Sequence, residues 1–154
     1  MPRLRLRDLP ELFSAEAAEF IAFARADDYF LGVLHWRAHE LWARRMGTWM
    51  GAGNDLRYSP TTCFGTFPLP WPPGEEPEGH SRIEAIAEAA RRLDELRRNR
   101  LDPEGTSVVE PKKRTLTNLY NASPTWLENA HKALDEAVFA AYGWPHDLTD
   151  EGIL

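Results

Sequence analysis

One cysteine, Cys63, stands among 154 residues. With no second thiol, no internal disulfide framework can hold the fold, and a lone thiol fits a reducing cytoplasm. Long apolar runs are also missing. Nothing in the chain approaches the roughly 18 consecutive apolar residues that a membrane span requires, so a membrane is not an expected partner. The opening MPRLRLRDLP has charge but no apolar stretch behind it, which argues against a secretory leader. Basic excess is lacking too. Lys and Arg number 18 against 24 Asp and Glu, a formal charge of −6, whereas free-standing nucleic-acid binders are usually basic.

The patterns that carry catalysis are equally sparse. His35 and His39 are spaced i, i+4, as two metal ligands on one helix would be, but Trp36, Arg37 and Ala38 lie between them. A hydrolytic zinc helix needs a Glu there and a third ligand elsewhere. His80, His131 and His146 are scattered without ligand spacing. Cys63 has no His near it in sequence and reads as a packed thiol. GAGND lacks the Gly spacing and following helix of a dinucleotide loop. Carboxylate pairs such as Asp94 and Glu95 fall on solvated helix faces. No catalytic residue, cofactor site or metal site is assigned to this chain.

What is present is enough for a core: 43% apolar residues, with six Trp and seven Phe. The length suits one domain, or two small pieces sharing a core. Of 12 prolines, half lie between Pro60 and Pro77, which marks a rigid connector. Residues 1–13 alternate Arg and Leu in a strand-like pattern on a mobile end, and AAEFIAFAR (17–25) fits either a buried strand or a short helix. Asp27 and Asp28 offer an N-cap to a helix running from about residue 29 to Gly47. Its apolar side holds Phe30, Leu34, Ala38 and Leu41, widened by Leu31, Trp42 and Met46, so most of its girth is buried. Arg37, Glu40 and Arg44 form a narrow polar stripe. A Gly-rich turn through Asn54 and Asp55 follows, then an extended segment from Arg57 to Thr62, with Phe64 and Phe67 turning inward.

PLPWPPGEEPEG ends regular structure, and a boundary between two units is placed near residue 74. Ser81 with Glu84 gives a capping-box pattern for a helix whose stripe is Ile83, Ile86, Ala87, Ala90 and Leu93, with Arg91, Arg92, Arg97 and Arg98 facing out. A basic entry at Lys112–Arg114 leads to a short helix with Leu116, Leu119 and Tyr120. Ser123-Pro124 opens another through Trp126, Leu134 and Val138, closed by Gly143 and Pro145. Leu148–Glu151 reads as the start of one more helix, cut short.

The stretch 36–62 reverses the overall charge, with Arg37, Arg44, Arg45 and Arg57 against Glu40 and Asp55. Arg can bond guanine bidentately, Asn adenine, and Asp the amino group of cytosine, while Ser, Thr and Tyr bond phosphates. Arg44, Arg45, Asn54, Asp55, Arg57, Tyr58, Ser59 and Thr61 are therefore the candidate DNA-binding residues. On residue types alone, a solvated Gly turn with a surface arginine accounts for the same pattern.

DDYFLGVLHWRAHELWARRMGTWMGAGNDLRYSPTTCFGTFPLP (27–70) resembles the end of the target-recognition domain in MmeI-like type IIL restriction–modification enzymes. KKRTLTNLYNASPTWLENAHKALDEAVFAAYGWPHDLTDEGIL (112–154) is similar to the helical C-terminal domain of the same family. The resemblance implies a parent enzyme that moves a methyl group from S-adenosylmethionine to adenine N6 in double-stranded DNA. This chain has no NPPY-type tetrapeptide, no Gly-rich S-adenosylmethionine loop and no PD…ExK nuclease set, so the resemblance leaves it sequence readout and part of the clamp around DNA. It assigns Asn54, Asp55 and Arg57 to the variable base-reading segment, and Tyr58, Ser59 and Thr61 to the less variable part that positions the backbone.

Two departures stand out: Trp36 where the family commonly has Ser in HSR, and Gly65 where it has Glu in FETFPFP. Both read as relaxed constraint on a fragment, and the first twenty residues match the family poorly. The expected fold is mainly α with a small β-containing portion: residues 1–74 as the end of a recognition domain, and 75–154 as a truncated helical domain. The expected function is DNA recognition without catalysis. The alternatives are a specificity subunit docking on a separate methyltransferase chain, or a non-functional gene remnant.

Overall fold

A computed structural model describes residues 23–50, 55–103 and 114–154 of the chain. The readings made for residues 1–22, Asn54, Gly105, Lys112 and Lys113 lie outside the described residues. Among those described, the order is α1 (Asp28–His35), α2 (Arg37–Met46), β1 (Thr48–Met50), β2 (Asp55–Arg57), a π-helical turn (Pro60–Phe64), α3 (Ser81–Leu101), α4 (Leu116–Ala122), α5 (Thr125–Tyr142) and α6 (Asp150–Ile153). The described residues are mainly helical with one two-stranded antiparallel sheet. No described helix is long and apolar enough to cross a membrane.

Asp27 caps α1 as its sequence position suggests, its carboxylate accepting from the Phe30 amide at 2.8 Å. The single long helix expected from 29 to 47 does not form. It breaks at Trp36, whose backbone is extended (φ −69°, ψ 144°). Tertiary packing overrides helical periodicity at this point. The Trp36 indole is 1% exposed and meets rings from three directions. It lies edge-on to Phe139 at 5.3 Å and to Phe67 at 6.5 Å, and stacks on Tyr142 at 4.9 Å between centroids. Far from marking relaxed constraint, Trp36 is the largest fully buried side chain in the described protein.

A break in a helix orphans backbone groups on both sides of it, and a buried break must satisfy them. Asp135 of α5 accepts from the Arg37 amide at 3.1 Å and caps α2 from another element. Burial of Asp135 raises its pKa, an effect opposed by the Arg37 amide and guanidinium beside it. On the other side, the imidazole of His39 donates through Nδ1 to the Leu34 carbonyl at 2.9 Å. In a continuous helix that carbonyl would serve the Ala38 amide.

Beyond the connector, α3 begins one residue earlier than its capping-box pattern suggests. His80 is the cap, its Nδ1 accepting from the Arg82 amide at 3.2 Å, and Ser81 is already helical. Arg91, Arg92 and Arg98 face solvent as expected, but Arg97 does not. It lies largely covered beside Asp94 at 3.6 Å, with Tyr120 Oη 3.4 Å from it. The opening of α5 also shifts by one: Ser123 takes a left-handed conformation (φ 38°) closing α4, Pro124 is the cap and Thr125 the first helical residue. Gly143 ends α5 in the left-handed region (φ 70°) that favours glycine. Thr149 caps the last short helix through its hydroxyl.

The long helix α3 packs against both α1 and α5. The boundary proposed near residue 74 falls in the proline-rich connector, and one cluster of buried side chains spans it, joining Tyr29, Val33 and Trp36 to Ile86, Leu93, Leu134 and Val138. Gly32 sets the approach of the helices. A Cβ there would stand 2.7 Å from Ile86 Cγ2 and 3.2 Å from both Ala90 Cβ and Leu134 Cδ1. Gly32→Ala is therefore expected to destabilise the protein by about 1–3 kcal/mol through overpacking, despite alanine's better helix propensity. Denaturant unfolding measures it; a more stable variant would show that the helices are not in close contact at this residue.

Candidate nucleic-acid interface

The site grows from the end of α2. Gly47 closes that helix by donating its amide to the Ala43 carbonyl at 2.8 Å. Its backbone is extended (φ −73°), so space rather than conformation requires glycine. A Cβ would lie 2.7 Å from Ala43 O, 2.7 Å from Leu56 Cδ1 and 3.0 Å from Arg57 O. The chain then runs directly into a hairpin in which Thr48 pairs with Arg57, Trp49 with Leu56 and Met50 with Asp55. This register brings Arg57 back beside the end of the helix that carries Arg44 and Arg45.

A histidine holds the exit of the hairpin. His39 is 5% exposed, and Tyr58 Oη lies 3.0 Å from its Nε2. The Leu34 carbonyl can only accept, so Nδ1 carries the proton and Nε2 accepts from the Tyr58 hydroxyl. Burial lowers the His39 pKa, a shift opposed by the Leu34 carbonyl and reinforced by His35. The same covering pushes the Tyr58 pKa up to about 12. One imidazole therefore satisfies the broken helix and fixes the segment leaving β2.

The extended run expected as far as Thr62 stops at Ser59. Pro60 starts a π-helical turn, with the Gly65 amide reaching the Pro60 carbonyl at 2.8 Å. Proline suits a first helical position because its missing N–H would have no partner there. Cys63 is fully buried beneath this turn as a packed thiol. Phe67 is buried and Phe64 packs against the core, as their inward reading requires.

The predicted residues thus divide. Arg45 is exposed and has no ion pair among the described residues, while Arg44 is exposed but bonded to Glu40 at 2.7 and 3.0 Å. Arg57 is exposed at the hairpin base. Ser59 and Thr61 share a hydroxyl contact of 3.1 Å. Tyr58 points its hydroxyl inward to His39, a structural use that the sequence did not suggest. Asp55 contributes its backbone to the sheet; its side chain and all of Asn54 lie outside the described residues. His35 and His39 fall on separate helices, each with Nδ1 engaged by a backbone carbonyl. Among the described residues no three His, Cys, Asp or Glu converge as a metal site.

Sequence reasoning missed β1. TWM and DLR flank a four-residue stretch, GAGN, and short runs around a Gly-containing loop are a hairpin signal. It also missed that the hairpin leaves Trp49 and Met50 half exposed, at 50% and 52%.

Over 128 residues the chain is 32% identical to DNA methyltransferase A of Bacillus subtilis (strain 168), an alignment covering 82% of this chain. The chain is related to a DNA methyltransferase. The aligned part amounts to 12% of that protein's length. No protein-family model matches the chain, and no solved structure matches it.

Two measurements check the His39 anchor. Tyr58→Phe leaves Nε2 of a buried imidazole without its donor and is expected to cost about 1–3 kcal/mol in unfolding free energy. The pH dependence follows from the lowered His39 pKa. Between the ordinary value near 6.5 and the folded value, the unfolded chain binds more protons. His39's contribution is therefore complete above the ordinary value and is lost as pH falls through the window beneath it. An imidazole resonance of His39 titrating at or above the ordinary value would contradict the buried, neutral assignment.

Proposed function

We propose that this chain supplies DNA target recognition for an adenine-N6 methyltransferase of the MmeI-like type IIL restriction–modification kind in the cytoplasm. Methyl transfer would belong to a domain or chain other than this one, with S-adenosylmethionine bound there. The observation that carries the reading is the hairpin itself. It stands at the end of a helix bearing Arg44 and Arg45, returns through Arg57, and lies in a chain related to a DNA methyltransferase. A two-stranded ribbon is of a size that the major groove, about 12 Å wide, admits.

The proposed roles rest on residue type and, for Asn54 and Asp55, on the family resemblance. Arg57, with Asn54 and Asp55, reads base edges. Arg45 attracts phosphate, and Arg44 joins it on exchanging Glu40 for the DNA backbone. Ser59 and Thr61 offer hydroxyls to phosphate. Tyr58 acts at one remove, holding the exit of β2 through His39.

Selection from a random-sequence duplex pool across a salt series tests this. Enrichment of a short motif that survives moderate salt is the expected result; unselective binding that vanishes with salt would reduce the interface to phosphate attraction. Arg57→Ala is expected to relax the preference at one base position by about 1–3 kcal/mol. Arg45→Ala should weaken all sequences alike and lower the salt slope by about one. Equal loss on every sequence from Arg57→Ala would assign Arg57 to phosphate instead.

A further inference from the structure

The hairpin carries an apolar surface that hydrogen-bonding readout leaves unused. Trp49, Met50 and Leu56 are 50%, 52% and 38% exposed. They are three of the six large apolar side chains most open to solvent among the described residues. Side chains alternate across a strand, and cross-strand partners share a face. The pairing Trp49↔Leu56 thus places those two on one side of the ribbon, and Met50 lies on the other. No single flat surface covers both sides of a ribbon. Such an arrangement fits insertion between two walls.

From this placement we infer that Trp49 and Met50 form an apolar wedge that enters the DNA groove and presses on base faces or thymine methyl groups. The inference rests on the DNA-recognition reading and adds a contact to it. Charge selects the occupant: Arg45 and Arg57 flank the wedge, and Arg44 stands one helical residue further back. A polyanion with apolar bases between charged walls complements that arrangement better than an apolar protein face, which would have to desolvate the arginines. Apolar contact with base edges, the thymine methyl above all, contributes affinity that salt does not screen.

Fluorine NMR on the full chain labelled with 5-fluorotryptophan tests the contact directly. Each of the six tryptophans gives one resonance, and Trp49 is assigned by the signal that Trp49→Phe removes. If the other five stay in place in that variant, the fold is intact. On adding a short random-sequence duplex, the Trp49 resonance is expected to shift and broaden more than those of the other five tryptophans, which are buried or partly buried. Trp49→Ser is expected to weaken DNA binding about tenfold with the salt slope unchanged, and Trp49→Phe to retain most of the affinity.

DNA binding by the unchanged chain, with the Trp49 resonance unmoved and Trp49→Ser binding normally, overturns the wedge and leaves the recognition reading intact. So does a Trp49 resonance that shifts with protein concentration but not with DNA, which would make the hairpin a protein–protein contact. Absence of any DNA binding overturns both.

Discussion

The carboxyl oxygen of Asp135, 3.1 Å from the Arg37 amide, lies at the point on which the rest of the structure depends. A single helix from residue 28 to 46 would satisfy its own backbone but could not place Trp36 between Phe67, Phe139 and Tyr142. The chain takes the other course and buries the indole, exposing amides and carbonyls at the break. Every such group left without a partner in the interior would cost about 1–3 kcal/mol. Asp135 serves the amide side and His39 the carbonyl side, so the cost is met by side chains from two other positions. Arg37 adds a third tie, reaching the Leu148 carbonyl at 2.8 Å and lying over the Phe139 ring at 5.5 Å from its centroid. The turn into α6 is thereby fastened to the same break.

From the break to the hairpin the chain of causes is short. His39 is committed through Nδ1 to Leu34, which leaves only Nε2 for Tyr58. Tyr58 follows directly on the last residue of β2, so the position of Arg57 is fixed from the core side. Gly47 fixes it from the other, since only a residue without Cβ lets the end of α2 lie against Leu56 and the Arg57 carbonyl. The exposed arginines thus stand on a support determined by buried contacts. An interface that must discriminate bases needs its side chains held in register by packing, because loosely held arginines would deliver charge without geometry.

Much of this was legible in the sequence wherever a local rule acts alone. The cap at Asp27, the stops at Gly47 and Gly143, the inward turn of Phe67 and the fold class all follow from single residues or short periods. The failures share a cause. Residues 29–46 have a helical pattern throughout, and nothing local announces that Trp36 will be claimed by α5 and the segment at Phe67. Ser81 and Ser123 are good caps by type, yet His80 and Pro124 occupy the positions, so α3 starts one residue earlier and α5 one residue later than the serines suggest. Arg97 looked like a solvated charge until Tyr120 arrived from another helix. The candidate arginines were visible from their residue types. The hairpin that presents them required recognising TWM and DLR as partners across GAGN, a pairing too short for periodicity to reveal.

The acidic balance of the whole chain sits easily with a basic reading face once its distribution is considered. Glu76 is bound to Arg25 and to the Gly74 amide, and Asp150 lies 3.8 Å from Arg37, so part of the negative charge is already neutralised by contacts within the fold. At physiological salt, charges separated by more than about 8 Å on the surface are largely screened from one another. An approaching phosphate backbone therefore responds to the charge nearest to it rather than to the total. At the hairpin base Arg44, Arg45 and Arg57 carry positive charge, and Arg44 is paired with Glu40. On the proposed reading, the acidic remainder would favour approach of a duplex from the side of these arginines.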